Sequence, residues 1–193
     1  MIGLCYSMEC KNNAGRIKMK LVFPSLAYKE KAVQFIREFE EYQSEINGSG
    51  ALDYYLAEMS YEEWLKKVQA DMDMANILPG RVPALTYFYV REEDDQILGM
   101  INLRLSLNDF QRTEGGHIGY CVRPTERRKH YATEMLKEAL KVYDMLGVKE
   151  ILLFCDKQNP ASSGVIKKNG GALEATFYSE TFKTNVEKYI IRR

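Results

Sequence analysis

Apolar residues recur along this chain first at helical spacing and then at strand spacing, and the changes of period mark out the elements. The stretch KMKLVFP, residues 18–24, fits a first strand. Ala32, Phe35, Ile36 and Phe39 share one helical face and predict a helix over about 26–43. INGSG, residues 46–50, breaks the chain. Ser60 with Glu63 has the form of a capping box, opening a second helix with Trp64, Leu65, Val68 and Met72 on one stripe. After NILPGRVP the pattern turns to strands: ALTYFYVRE and QILGMINLRLS flank the acidic turn EDD as a hairpin, and HIGYCV follows the loop LNDFQRTEGG.

The next helix runs from about His130 to Leu146, with Met135, Leu136, Ala139, Leu140 and Tyr143 inward and Gly147 as its stop. KEILLFCD reads as a continuous apolar strand, buried inside a sheet. NPASSGVIKKNGG is a short helix with a glycine exit, and ALEATFYSETF with VEKYIIRR forms a terminal antiparallel pair. Residues 1–18 show no clear period and read as a weakly ordered N-terminal extension to a domain over 19–193. The order of elements predicts an α+β fold, layered α/β/α, with one mixed, mostly antiparallel central sheet flanked by helices.

Composition narrows the function more than the fold. Of 193 residues, 27 are Lys or Arg and 27 Asp or Glu, so no global field draws in nucleic acid or an acidic membrane. The four cysteines, Cys5, Cys10, Cys121 and Cys155, form no CxxC pair and suggest reduced thiols of a cytoplasmic protein, with no metal site. No apolar run reaches the roughly 18 residues of a membrane span. MIGLCYSMEC lacks the basic start and long apolar middle of a signal peptide.

Within this neutral chain, VRPTERRKHYATEML (residues 122–136) concentrates cations where a strand gives way to a helix. A helix N-terminus offers unpaired N–H groups and a positive dipole end, which suit an anion. Arg127, Arg128 and Lys129 add mobile positive charge and Thr133 a hydroxyl. The alternative is a merely solvated basic face. A nucleotide-binding reading has no GxGxxG or GxxxxGK[ST] behind it.

Residues 115–173 resemble the core of the GNAT superfamily of acyl-coenzyme A-dependent N-acyltransferases. The likeness rests on Arg127-Arg128-Lys129-His130-Tyr131-Ala132 after YCVRP, and on ILLFCDKQNPASSGVIKKNGGALE after it. It implies acetyl-CoA as cosubstrate, its pyrophosphate over the backbone of residues 128–133, including His130, Tyr131, Ala132 and Thr133. It further implies a pantetheine arm along the edge of Tyr120, Cys121 and Val122, with Asn159 on the other side. The family places glycine where His130 stands. A right-handed helical φ is expected to accommodate the histidine there. Where many members carry a proton-donating tyrosine this chain has Ile166, and Tyr178 is the substitute considered.

For a base that deprotonates the acceptor amine, His117 leads, because its ordinary pKa near 6.5 suits the task; Glu114, just before the strand, is second. Tyr54, Tyr55 and Tyr87 are candidates for an acceptor pocket. The expected function is transfer of an acetyl group to a primary amine of a small molecule or peptide, by direct attack in a ternary complex. The alternative is a non-catalytic acyl-CoA-binding or regulatory module. The terminal strands are the expected edge for a homodimer.

Overall fold

The computed structural model describes residues 8–9, 17–77 and 80–193. Two antiparallel sheets carry the chain. The first has the order β1 (Met8–Glu9), β2 (Met19–Val22), β3 (Ala84–Arg91), β4 (Ile97–Arg104), β5 (Ile118–Val122). The second has the order β6 (Glu150–Asp156), β8 (Thr184–Arg192), β7 (Ala172–Ser179). The expected α+β class is the one observed, but the sheet is divided where β5 and β6 meet. Most of the extension over 1–18 lies outside the described residues; within it, Met8 and Glu9 pair with Leu21 and Lys20.

Three helices cover one face of the first sheet: α1 (Lys29–Glu41), α2 (Leu52–Glu58) and α3 (Tyr61–Ala70). The expected stripe of Ala32, Phe35, Ile36 and Phe39 packs with Trp64, Leu65 and Val68 onto Phe88, Val90, Ile97, Met100 and Cys121. The expected Ser60 cap forms: Ser60 Oγ accepts the Glu63 N–H at 3.2 Å and its hydroxyl donates to the Glu63 carboxylate at 2.6 Å. Met72 is a correction. It falls beyond the end of α3 and is exposed, because the helix stops at Ala70. Helix α2 had no clear signal in the sequence, since Leu52 is its sole buried residue.

The opposite face is covered by α4 (Tyr131–Met145), whose Met135, Leu136, Ala139, Leu140 and Tyr143 are buried as expected. These residues join a single cluster that reaches both sheets, from Leu98, Ile101 and Ile118 in the first to Ile151, Leu153 and Ile191 in the second. Helix α4 therefore holds the two sheets together. Gly147 ends it at φ +70°, and the Val148 N–H closes back on Tyr143 O at 3.0 Å.

Strand β6 differs from the expected interior strand. It is the edge of its sheet that faces β5, and only Ile151, Leu153 and Cys155 are buried. Its other face is apolar for a separate reason: Phe154 meets Phe177 edge to face at 6.3 Å, and a π-helical turn at Gln111–Gly115 lies against the strand. Helix α5 (Pro160–Lys168) follows, with Ile166 pointing into the core.

Candidate active site

Strands β5 and β6 touch at one joint and part beyond it. The His117 N–H donates to Leu152 O at 2.8 Å, and the Leu152 N–H donates to His117 Nδ1 at 2.9 Å. Gly116, at φ +65°, permits this contact, since a Cβ there would lie 2.7 Å from Leu152 O. On its other edge β5 pairs with β4, and the Arg104 N–H to His117 O and Arg123 N–H to Leu98 O bonds bracket the ladder. Antiparallel alternation turns the peptide groups of Gly119 and Cys121 toward β4 and those of Ile118, Tyr120 and Val122 outward. The outward groups face the gap, where β6 supplies no ladder to meet them.

Of the expected edge residues, Tyr120 and Val122 thus present their main chain to the opening, while Cys121 does not. Its thiol packs in the core against α1 and α3, and burial pushes its pKa up to about 12. The Val122 carbonyl already accepts Arg127 Nε at 3.1 Å, which leaves its N–H. The Tyr120 side chain crosses the gap on the α4 side, its hydroxyl 2.9 Å from Ser162 Oγ in α5. Burial raises the Tyr120 hydroxyl to about 12 and the neighbouring Cys155 thiol to about 11. Ser162 escaped the sequence reading; its contact with Tyr120 spans 42 residues and leaves no local signal.

The loop into α4 is held from below. Arg123 is 7% exposed; its Nη1 pairs with Glu38 of α1 at 2.5 Å and its Nε donates to Ile97 O. Glu38 also accepts the Thr125 N–H at 3.0 Å and its hydroxyl at 2.8 Å. Burial works to raise the Glu38 carboxyl, but the Thr125 bonds and Arg123 hold it below the usual range. Arg127, expected to be mobile, is clamped: its Nη2 donates to Ser44 Oγ at 2.7 Å and its guanidinium lies over Phe39. Lys129 pairs with Glu126 at 2.8 Å. Arg128 is exposed and in no ion pair among the described residues. Above them the N–H groups of Tyr131, Ala132 and Thr133 precede the first helical bond, Glu134 N–H to His130 O at 3.2 Å.

His130 corrects one expectation. It sits at φ +64°, not in the right-handed conformation expected from the sequence, and Arg128 is left-handed too, at φ +65°. A glycine preference here comes from the backbone twist itself. Alternation of left-handed residues with ordinary ones turns successive N–H groups inward, as in an anion nest.

The three expected catalytic residues fare differently. His117 has Nδ1 occupied by the Leu152 N–H, so the neutral ring carries its proton on Nε2 and has no lone pair to offer. Burial, with the charges of Arg104 and Arg112, holds its pKa down to about 4, below the range of an effective base. Tyr178 lies on β7 with β8 between it and β6, and its side chain is exposed; its neighbour Ser179, rather than its own hydroxyl, meets the 111–115 turn. Glu114, on the 111–115 turn, accepts the Ser179 hydroxyl on Oε2 and keeps Oε1 for another donor. Asn159 caps α5 through Oδ1, which accepts the Ser162 N–H at 3.0 Å, leaving its amide Nδ2. Tyr55, with Tyr54 edge-on to it, packs against the α1–α3-side core, whereas Tyr87 stacks on Phe23 in the α4-side core, so they lie on opposite faces of the sheet.

Fold and opening together define the class, a layered α+β fold whose sheet parts between β5 and β6. The chain belongs to the acetyltransferase (GNAT) domain family, whose model matches residues 35–172, and is an acetyl-CoA-dependent acyltransferase. No curated protein matches it by sequence. Among solved structures it is similar to the microcin C7 self-immunity acetyltransferase MccE in complex with acetyl-CoA and AMP. The TM-score is 0.68 at 17% identity, over 91% of this chain and 92% of that one. It is similar also to RimL, a ribosomal L7/L12 α-N-protein acetyltransferase in complex with coenzyme A (TM-score 0.65, 16% identity, 90% and 93% covered). A third is a chimera of the spermidine N-acetyltransferase SpeG from Vibrio cholerae with hSSAT (0.62, 16%, 90% and 95%).

Proposed function

We propose that this enzyme transfers the acetyl group of acetyl-CoA to a primary amine of a small molecule or peptide, by direct attack in a ternary complex in the β5–β6 opening. One observation carries the reading: the outward peptide groups of Ile118 and Tyr120 and the Val122 N–H face a gap that no strand fills among the described residues. Buried peptide groups need partners, and an extended amide-bearing chain supplies them. The diphosphate then meets the amides of residues 128–133, with Arg128 as the unclaimed cation, and Asn159 Nδ2 donates from the far side.

Bound acetyl-CoA supplies a thioester with a thiolate leaving group of moderate basicity, near 8.5 for a free thiol. The N–H groups on the β5 edge are preorganised donors for the developing oxyanion. An amine with an ordinary pKa of about 10.4 must lose its proton, and Glu114 is the expected base that keeps a free carboxylate oxygen. On the leaving side, the Tyr120 and Ser162 hydroxyls are the protic pair at the gap. The same reading places the enzyme in the cytoplasm, where Cys121 and Cys155 stay reduced. A homodimer through the exposed β7 edge belongs to it as well.

Thiol release from acetyl-CoA over an amine panel, with calorimetric titration of coenzyme A, tests the proposal. Turnover and binding are expected together, and Arg128→Glu weakens coenzyme A binding about tenfold or more. Binding without turnover on any amine would replace the enzyme with the non-catalytic acyl-CoA module. No binding at all would remove the groove assignment.

A further inference from the structure

A cavity of about 380 Å³ lies on the α1–α3 side of the first sheet, beside the start of β5. Its lining includes the 46–51 loop, Asn102 and Arg104 on β4, and Lys67, Asp71 and Arg81. Two contacts tie it to the proposed acyl end of the opening. Gly48 rests on Gly119, and Arg104 Nη1 donates to Gly115 O and Gly116 O at 2.7 and 2.8 Å, next to the β5–β6 joint.

The charges in this cavity do not all cancel. Lys67 and Arg81 both pair with Asp71, at 2.7 and 3.4 Å. Among the described residues, Arg104 has no carboxylate within ion-pair distance, and its Nε and Nη2 donate to no protein acceptor. Asp53, in the same lining, has no cation within that distance among the described residues and accepts the Ser49 hydroxyl at 2.7 Å. Gln111 adds a buried Oε1 that no donor meets among the described residues. The Arg104 guanidinium is desolvated, which works against its charge, and a buried cation without a counter-ion is costly. A guanidinium fork with free N–H groups matches a carboxylate or phosphate. Asp53 and Gln111 match the N–H groups of an amine.

We propose that this cavity is the acceptor site and that the acceptor is zwitterionic, an amine that also carries a carboxylate or phosphate. The anionic group lies on Arg104, and the ammonium lies toward Asp53 and Gln111. The assignment rests on acetyl transfer as the reaction and narrows its substrate class.

Matched acceptor pairs test it in the thiol-release assay with acetyl-CoA: glycine against glycinamide, phosphoethanolamine against ethanolamine, and spermidine as a purely cationic control. The acid-bearing member of at least one pair is expected to have a kcat/KM about tenfold or more above its partner. Whichever pair shows it separates carboxylate from phosphate. Arg104→Gln brings that ratio to about one, chiefly through KM, and Arg104→Lys retains part of it; thermal melting of both variants checks the fold. Equal or better use of the neutral and cationic amines overturns the proposal. So does a ratio that Arg104→Gln leaves intact. If no amine is turned over, glycine and phosphoethanolamine are titrated into the coenzyme A-saturated protein. Binding that Arg104→Gln abolishes sustains the zwitterion site while removing acetyl transfer, and absence of binding overturns the site itself.

Discussion

At the scale of single residues, the backbone of the basic loop before α4 is strained at two side chains. His130 and Arg128 both occupy the left-handed region, which costs a residue with a Cβ about 1 kcal/mol or more relative to glycine. His130→Gly is expected to stabilise the protein by about 1 kcal/mol and raise its melting temperature by roughly 2–4 °C. A lower melting temperature would show that the imidazole makes a contact worth more than the strain. His117 bears on pH dependence. Its folded pKa, about 4, lies below the unfolded value near 6.5, so the unfolded chain binds the extra proton. This part of the stability is complete above about pH 6.5 and is lost as pH falls toward about 4. Urea denaturation from pH 7.5 to 4 is expected to show that decline in the wild type and a flatter profile in His117→Gln.

At the scale of elements, two connections decide whether the opening has its shape. The 46–51 loop crosses β5 so closely that a Cβ on Gly48 would lie 2.1 Å from Gly119 O, and Gly48 itself has φ +75°. Trp64 Nε1 and Lys67 Nζ, both in α3, donate to Gly50 O at 3.1 Å and hold the loop down. Gly48→Ala must therefore displace the loop or β5. The expected cost is on the order of 2–4 kcal/mol in thermal or urea melts, with turnover reduced in the surviving folded protein. The second connection is the Glu38–Arg123 pair under the strand-to-helix turn. Glu38→Ala leaves a buried guanidinium unpaired and is expected to cost about 3–5 kcal/mol. Because the folded Glu38 pKa is depressed, the pair's contribution is present above the unfolded carboxylate range and lost as pH falls through the folded value.

For the molecule as a whole, the two sheets are joined by α4 and by the short His117–Leu152 joint, with the gap between them. A ligand that fills this gap binds only the folded chain and stabilises it by mass action. Coenzyme A at about 100 times its Kd is expected to add about 2.7 kcal/mol, a rise of roughly 5–11 °C in melting temperature. No shift at concentrations that saturate other binding signals would place the ligand away from the parted strands.

Much of the fold was legible along the chain because its signals are local. The stripe of α1, the Ser60 cap, the hairpin of β3 and β4 and the inward face of α4 each depend on residues a few positions apart, and the two helical faces were read with their buried side chains. The basic turn before α4 was equally visible as a likeness to a family motif. Long-range contacts were not. Spacing could not show that Arg127 is already partnered by Ser44, 83 residues away, since such a partner follows from packing. Nor could it show that His130 is left-handed, because φ at a helix entry depends on how the preceding strand approaches. His117 was picked out by residue type, and Tyr178 by neighbourhood to a motif; strand order put one at the joint and the other two strands away. The sequence alone determined most of the elements, their order and the place of the basic loop, since periodicity, caps and turn residues act within one or two turns of chain. Only the tertiary structure decided which peptide groups face the gap, which charges remain unpaired and which side chains meet across it, because those depend on segments brought together from tens of residues apart.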